Sequence, residues 1–173
     1  MMGACARELV NLGGQVHGII PKALLERECD GKAPDFKGYG KTTVVGDMHT
    51  RKRMMAQLSQ AFVALPGGFG TCEEIFEVIT WSYLGIHTCP IVIFNVDGFF
   101  DPLLQFIQSA VKSGFIAPQN EHIVVEAKSA KEVGEAILNY RLSDGRLGLT
   151  WDDQTPLTSP SLENGPNSVK TGM

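Results

Sequence analysis

The chain is poor in nearly everything that would tie it to a membrane, a metal or a nucleic acid. No apolar run approaches the roughly twenty residues of a bilayer span, and the first residues lack the basic-then-apolar layout of a secretory leader, so a cytoplasmic protein is expected. The four cysteines, Cys5, Cys29, Cys72 and Cys89, make no C-x-x-C pair and no zinc spacing with the four histidines; they read as reduced thiols. Positive charge is scarce. Fifteen Lys and Arg face nineteen Asp and Glu, a net charge of −4, and the cluster Arg51-Lys52-Arg53 is too short to hold a nucleic acid. The Gly-Lys-Ser/Thr end of a P-loop and the G-x-G-x-x-G spacing of dinucleotide binders are both missing, which disfavours a kinase or a dehydrogenase. No internal repeat is visible.

What remains is enough for one core: 173 residues, 43% of them hydrophobic. Helical patterns at 1–12, 22–28, 48–60, 71–83, 102–113 and 129–140 alternate with strand patterns at 15–20, 42–45, 61–65, 90–95 and 122–125. Alternation of this kind predicts an α/β fold, a Rossmann-like doubly wound parallel sheet. The runs Phe62-Val63-Ala64-Leu65 and Ile91-Val92-Ile93-Phe94 are apolar throughout, as strands covered on both faces are. Residues 30–41 read as a Gly/Lys/Pro-rich loop. The domain is expected over 1–142, and the Pro/Ser/Asn-rich stretch 143–173 reads as a disordered tail.

The most informative segment is Pro66-Gly67-Gly68-Phe69-Gly70-Thr71-Cys72-Glu73-Glu74, which joins an apolar strand to a helix. Glycines let the backbone come close to a phosphoryl group, and the N–H groups and positive dipole end of a helix favour an anion. A tight strand-to-helix turn would also use glycines. Thr71-x-x-Glu74 has the pattern of a capping box, which Ser129-x-x-Glu132 repeats without a glycine loop, so local sequence gives Glu74 a structural role. Arg51, in Asp47-Met48-His49-Thr50-Arg51-Lys52-Arg53, has the plain reading of a solvated basic helix face.

Taken together the segments resemble the cytokinin riboside 5′-monophosphate phosphoribohydrolases, the LONELY GUY family, often labelled lysine decarboxylase-like. Met48-His49-Thr50-Arg51-Lys52 is similar to the family's Met-His-x-Arg-Lys, and Pro66 to Glu74 to its Pro-Gly-Gly-x-Gly-Thr-x-x-Glu. The run Glu77 to His87 and Gly18-Ile19-Ile20-Pro21-Lys22 match as well, and the likeness extends from about residue 2 to residue 140. The resemblance implies hydrolysis of the N-glycosidic bond of a cytokinin nucleotide to the N6-substituted adenine and ribose 5-phosphate. Arg51 and Glu74 would be the catalytic pair. Gly67, Gly68, Gly70 and Thr71 would bind the 5′-phosphate, with Lys52 and Thr80 at the nucleotide. The substrate is then a nucleoside monophosphate, with no metal and no cofactor. A homodimer is implied too, for which Trp81, Tyr83, Leu84 and Ile86 are candidate contacts.

Purine departure from C1′ builds positive charge on the ribose, which a carboxylate such as Glu74 would stabilise while orienting water. A guanidinium such as Arg51 would hold phosphate or ribose oxygens. By the same resemblance a first strand and glycine loop precede the helix with which this chain opens. That first βα unit is expected to be missing, leaving two unpaired strand edges. A Rossmann-type protein that binds a nucleotide or cofactor without cleaving it, or an inactive truncated family member, are the alternatives. A pyridoxal-dependent decarboxylase is disfavoured, since no lysine has a recognisable Schiff-base setting.

Overall fold

The computed structural model describes residues 2–28, 31, 32 and 34–151. The chain divides into two compact units, Met1–Leu58 and Ser59–Met173.

In the first unit, helix α1 (Met2–Asn11) precedes strand β1 (His17–Pro21), helix α2 (Lys22–Glu28), the short helix α3 (Phe36–Tyr39), strand β2 (Lys41–Val45) and helix α4 (Met48–Leu58). Strands β1 and β2 run parallel, in register from His17 opposite Lys41 to Pro21 opposite Val45. Gly13, with φ +79°, ends α1 in a left-handed turn, the use expected of Gly13-Gly14. Gly40 has φ +78°, and a Cβ there would lie 2.5 Å from the Val16 carbonyl oxygen, so the entry to β2 admits only glycine. Helices α2 and α4 both pack on the two strands, burying Leu25, Val45 and Ala56.

The second unit runs β3 (Phe62–Ala64), α5 (Phe69–Leu84), β4 (Ile91–Phe94), α6 (Asp101–Lys112), β5 (Val125–Ala127) and α7 (Ala130–Leu138). All pairs in its sheet, ordered β3-β4-β5, are parallel. Strand β4 is the centre of this unit. Ile91 and Ile93 join a cluster with Ile75 of α5 and Phe100, Ile107, Ile123 and Val124, with Val78, Leu103 and Leu104 packed around it. Val92 points the other way yet is 0% exposed, so both faces of the strand are covered, as its unbroken apolar run predicts. At its carboxyl end Asn95, also buried, donates to Asp101 Oδ1 and Glu126 Oε1, each at 2.7 Å, and accepts from Phe100 N at 2.7 Å.

The expected α/β fold with parallel strands is present, divided between a sheet of two strands and a sheet of three. Among the described residues β1 pairs only with β2, and β3 only with β4, so each sheet has an open edge there. Element ends shift by a residue or two from the sequence expectation, and three differences are larger. Residues expected to open a strand at 122 lie in a 3₁₀ turn, Pro118–Ile123, and β5 starts at Val125. Pro118 fixes the start of that turn, and buried Asn120 donates to Gly145 O at 3.0 Å. The expected loop 30–41 contains α3, capped where Asp35 Oδ2 accepts from Gly38 N at 3.0 Å. The expected tail begins too early: residues 143–151 are hydrogen-bonded to α5 and the turn before β5, for instance through Arg146 and Leu147. Residues 152–173 of that call, like Cys29, lie outside the described residues. Cys5, Cys72 and Cys89 carry thiols. Among the described residues no helix is long and apolar enough to cross a membrane.

His87, 1% exposed, sets a pH dependence on this core. Its Nε2 lies 2.8 Å from Val78 O and its Nδ1 accepts from Cys89 N at 3.1 Å, a pattern that only the neutral ring with Nε2–H satisfies. Burial pushes its pKa below the ordinary 6.5 and the Arg146 charge adds to this, while the bond to Val78 opposes them. The unfolded chain therefore binds the proton first as pH falls below about 6.5, so stability drops through that window and is restored above it. Urea unfolding midpoints should decline from pH 7 to pH 5, and His87→Gln should flatten the profile; an equally steep profile in the variant would show that another group carries it.

Candidate active site

Strand β3 ends at Ala64 and delivers Leu65-Pro66-Gly67-Gly68 to the start of α5. The helix begins at Phe69, with Gly68 as N-cap, no capping side-chain bond and no acidic residue in its first turn. Thr71 is thus the third helical residue, not the cap, and the capping-box pattern Thr71-x-x-Glu74 does not operate at this helix start. The contrasting case is Ser129, which does cap α7: its Oγ accepts from Glu132 N at 3.2 Å, and Glu132 Oε2 accepts from Lys128 N at 2.8 Å. Those bonds, led by that to Lys128, hold the Glu132 carboxyl below the usual range.

The first intrahelical bond of α5 is Cys72 N to Gly68 O at 3.1 Å. The N–H groups of Phe69, Gly70 and Thr71 precede it and have no acceptor within their own helix. They form, with the dipole, the positive end of a sixteen-residue helix. The three glycines have different reasons to be there. A Cβ on Gly67 would collide with Thr71 Oγ1, so Gly67 is required by the loop itself. A Cβ on Gly68 or Gly70 would meet nothing within 4 Å, and neither has a positive φ. Nothing in the fold of the chain requires glycine at those two positions; what they provide is bare backbone facing outward.

Thr71 and Glu74, one turn apart on the same side of α5, are both half-buried. Thr80 lies elsewhere. Six residues beyond Glu74, it stands about 120° round the helix, its hydroxyl donating to Phe76 O at 2.7 Å. There it lines an apolar cleft of about 210 Å³ with Phe76, Ile79, Tyr83, Ile107 and Phe115.

Arg51 and Lys52 belong to the first unit, on α4, and are half-buried. The helix is started by Asp47, whose Oδ1 accepts from Thr50 N and whose Oδ2 accepts from Thr50 Oγ1, both at 2.8 Å. These bonds, the backbone one foremost, keep the Asp47 carboxyl below its ordinary range. This cap was missed in the sequence, although an Asp three residues before a Thr at a strand-to-helix junction is its signal. Arg51 Nε then donates to Ile19 O at 3.1 Å, which anchors the guanidinium to the middle residue of β1. Among the described residues no group of His, Cys, Asp and Glu is arranged to hold a metal ion.

Parallel strands, each followed by a helix, define an α/β protein, and its glycine loop leads into a helix N-terminus that has no side-chain cap. The model of the family described as possible lysine decarboxylase matches residues 2–137, and the chain belongs to that family. It is 44% identical over 164 residues to cytokinin riboside 5′-monophosphate phosphoribohydrolase LOG of Oryza sativa subsp. japonica, covering 94% of this chain and 65% of that protein. Similar relatives named for the same activity are LOG1 of Arabidopsis thaliana, 47% identical over 81% of this chain and 63% of that protein, and LOG5 of the same organism, 42% identical over 94% and 70%. The chain thus spans about two thirds of the length of these relatives.

Proposed function

We propose that the chain hydrolyses the N-glycosidic bond of cytokinin riboside 5′-monophosphates, N6-substituted AMP, to the free base and ribose 5-phosphate. The observation that carries this reading is the start of α5, an uncapped helix N-terminus behind two glycines with Glu74 one turn beyond Thr71. The phosphate takes the N–H groups of the Gly68 to Thr71 segment, with Gly67 shaping the loop and Lys52 adding charge. As the C1′–N9 bond breaks, its electron pair leaves with the purine and the ribose gains positive charge. The Glu74 carboxylate stabilises that charge and orients the water whose oxygen bonds to C1′, and solvent supplies the proton to the base. Arg51, fixed through Ile19, holds substrate oxygens. Thr80 has the nucleotide-site role by resemblance alone. The activity for which the relatives are named supports the reaction class.

The same reading includes a homodimer. Trp81, Tyr83, Leu84 and Ile86, the contacts expected from the sequence, are half-buried in their own unit, and Leu147 N and Trp151 Nε1 already occupy the Tyr83 and Leu84 carbonyls. Phe76, Phe106 and Phe115 are better placed, 37%, 56% and 88% exposed beside the apolar cleft. One face then offers both projecting rings and a hollow, which suits a twofold contact in which each copy fills the other. Sedimentation should give a dimer for the chain and a monomer for Phe115→Glu; an unchanged dimer in the variant would move the contact elsewhere.

For the reaction, ribose 5-phosphate release from isopentenyladenosine monophosphate is the assay. The chain should turn over, and folded Glu74→Gln should be slower by about 100-fold or more. Equal rates would remove Glu74 from the chemistry, whereas nucleotide binding without any release would favour a binding protein.

A further inference from the structure

We propose that residues 143–151 form a clasp on the C-terminal end of α5 that positions the helix carrying Glu74, with Arg146 as the positioning residue. The inference rests on the reading in which Glu74 acts on the nucleotide. It concerns a segment beyond residues 2–137, the stretch that the family model matches.

The end of α5 poses a problem that its own sequence does not solve. The carbonyls of Trp81, Ser82, Tyr83 and Leu84 are the last of the helix and need donors from outside its ladder. The last turn holds no basic residue to meet the negative dipole end. Gly85, at φ +86°, turns the chain so that its own N–H reaches Ser82 O at 3.1 Å and Ile86 N reaches Trp81 O at 2.8 Å, a Schellman arrangement. Tyr83 and Leu84 are left, and distant residues serve them: Leu147 N donates to Tyr83 O at 2.9 Å and Trp151 Nε1 to Leu84 O at 3.3 Å.

Arg146 supplies the missing charge. Its Nε donates to Ser82 O and its Nη2 to His87 O, both at 2.6 Å, so one planar guanidinium ties the helix end to the chain that leaves it. The segment is itself held down. Asn120 Nδ2 donates to Gly145 O at 3.0 Å, and the Ser143 hydroxyl lies 2.7 Å from Asn120 Oδ1 while accepting from Gly145 N at 3.1 Å. The two backbones touch where they cross: a Cβ on Gly85 would lie 3.2 Å from Gly148 Cα.

An α-helix transmits such a restraint. Leu84 lies ten residues from Glu74, about 15 Å along one hydrogen-bonded rod. The other end of α5 has no cap, so the clasp and the core contacts of Ile75, Val78 and Ile79 set the rotation and axial position of the helix.

The test uses Arg146→Ala, Arg146→Lys and Trp151→Phe in the full chain, read by amide hydrogen exchange and by steady-state kinetics on isopentenyladenosine monophosphate. Trp151→Phe keeps a packed ring and loses only the indole N–H. In Arg146→Ala, exchange at Gly85 and Ile86 should quicken about tenfold with α7 unchanged. Its kcat should fall about tenfold and its KM should rise, because Glu74 and the N–H groups of Phe69, Gly70 and Thr71 shift together on the helix that carries them. Arg146→Lys should rescue neither, since one ammonium does not span both carbonyls. Trp151→Phe should move exchange the same way by a smaller factor, and decides the matter if Arg146→Ala does not fold. Unchanged exchange at Gly85 and Ile86 in folded variants overturns the clasp, and faster exchange with unchanged kcat overturns the positioning role. A wild-type chain without turnover would instead refute the hydrolase reading, and with it the positioning role, while exchange judged the clasp alone.

Discussion

The first N–H groups of α5 have no acceptor in their own helix, and the residue that caps it is a glycine with no side chain to offer. This unmet demand gives the site its character. The strand before it, β3, is short and apolar and ends at Ala64, so the loop opens directly at the carboxyl end of the sheet. An acidic residue in the first turn would have neutralised the dipole from within; there is none, and the nearest half-buried carboxylate on the Thr71 side, Glu74, stands one turn deeper.

The two ends of α5 are treated in opposite ways. At the start the first N–H groups have no acceptor within the helix, and at the finish each carbonyl is matched by a donor of the same chain. Between them Ile75, Val78 and Ile79 seat the helix against Ile91 and Ile93 of β4, the strand buried on both faces. A helix that must leave one end open is fixed by its flank and its other end. In the first unit Arg51 shows the same economy on a smaller scale, with the Asp47 cap starting its helix and the Ile19 carbonyl fixing its guanidinium.

Much of this was legible in the residues, and the limits have physical causes. The apolar run of β4 and the glycine loop announce a covered strand and a helix start, and both are found there. Thr71-x-x-Glu74 and Ser129-x-x-Glu132 look alike in sequence, yet only the second caps its helix, because Gly67 and Gly68 let α5 begin three residues before a threonine cap would allow. The beginning of β5 was misplaced because His122 and Ile123 have strand-like composition while Pro118 winds them into a 3₁₀ turn. Residues 143–151 read as tail because their contacts are made to backbone carbonyls, which leave no mark of residue type. Thr80, assigned to the nucleotide by resemblance, lines the apolar cleft.

The central claim is that Gly68 and Gly70 are glycines for a ligand and not for the fold, since a Cβ at either would meet nothing and neither needs a positive φ. The most direct test is Gly70→Ala, with stability by urea unfolding and affinity for ribose 5-phosphate by titration calorimetry measured on the same protein. The account predicts opposite signs: stability raised by about 0.5 kcal/mol, because alanine is the better helix former, and affinity lowered about tenfold or more by the methyl group in the phosphate's path. Unchanged affinity in a more stable protein would contradict it.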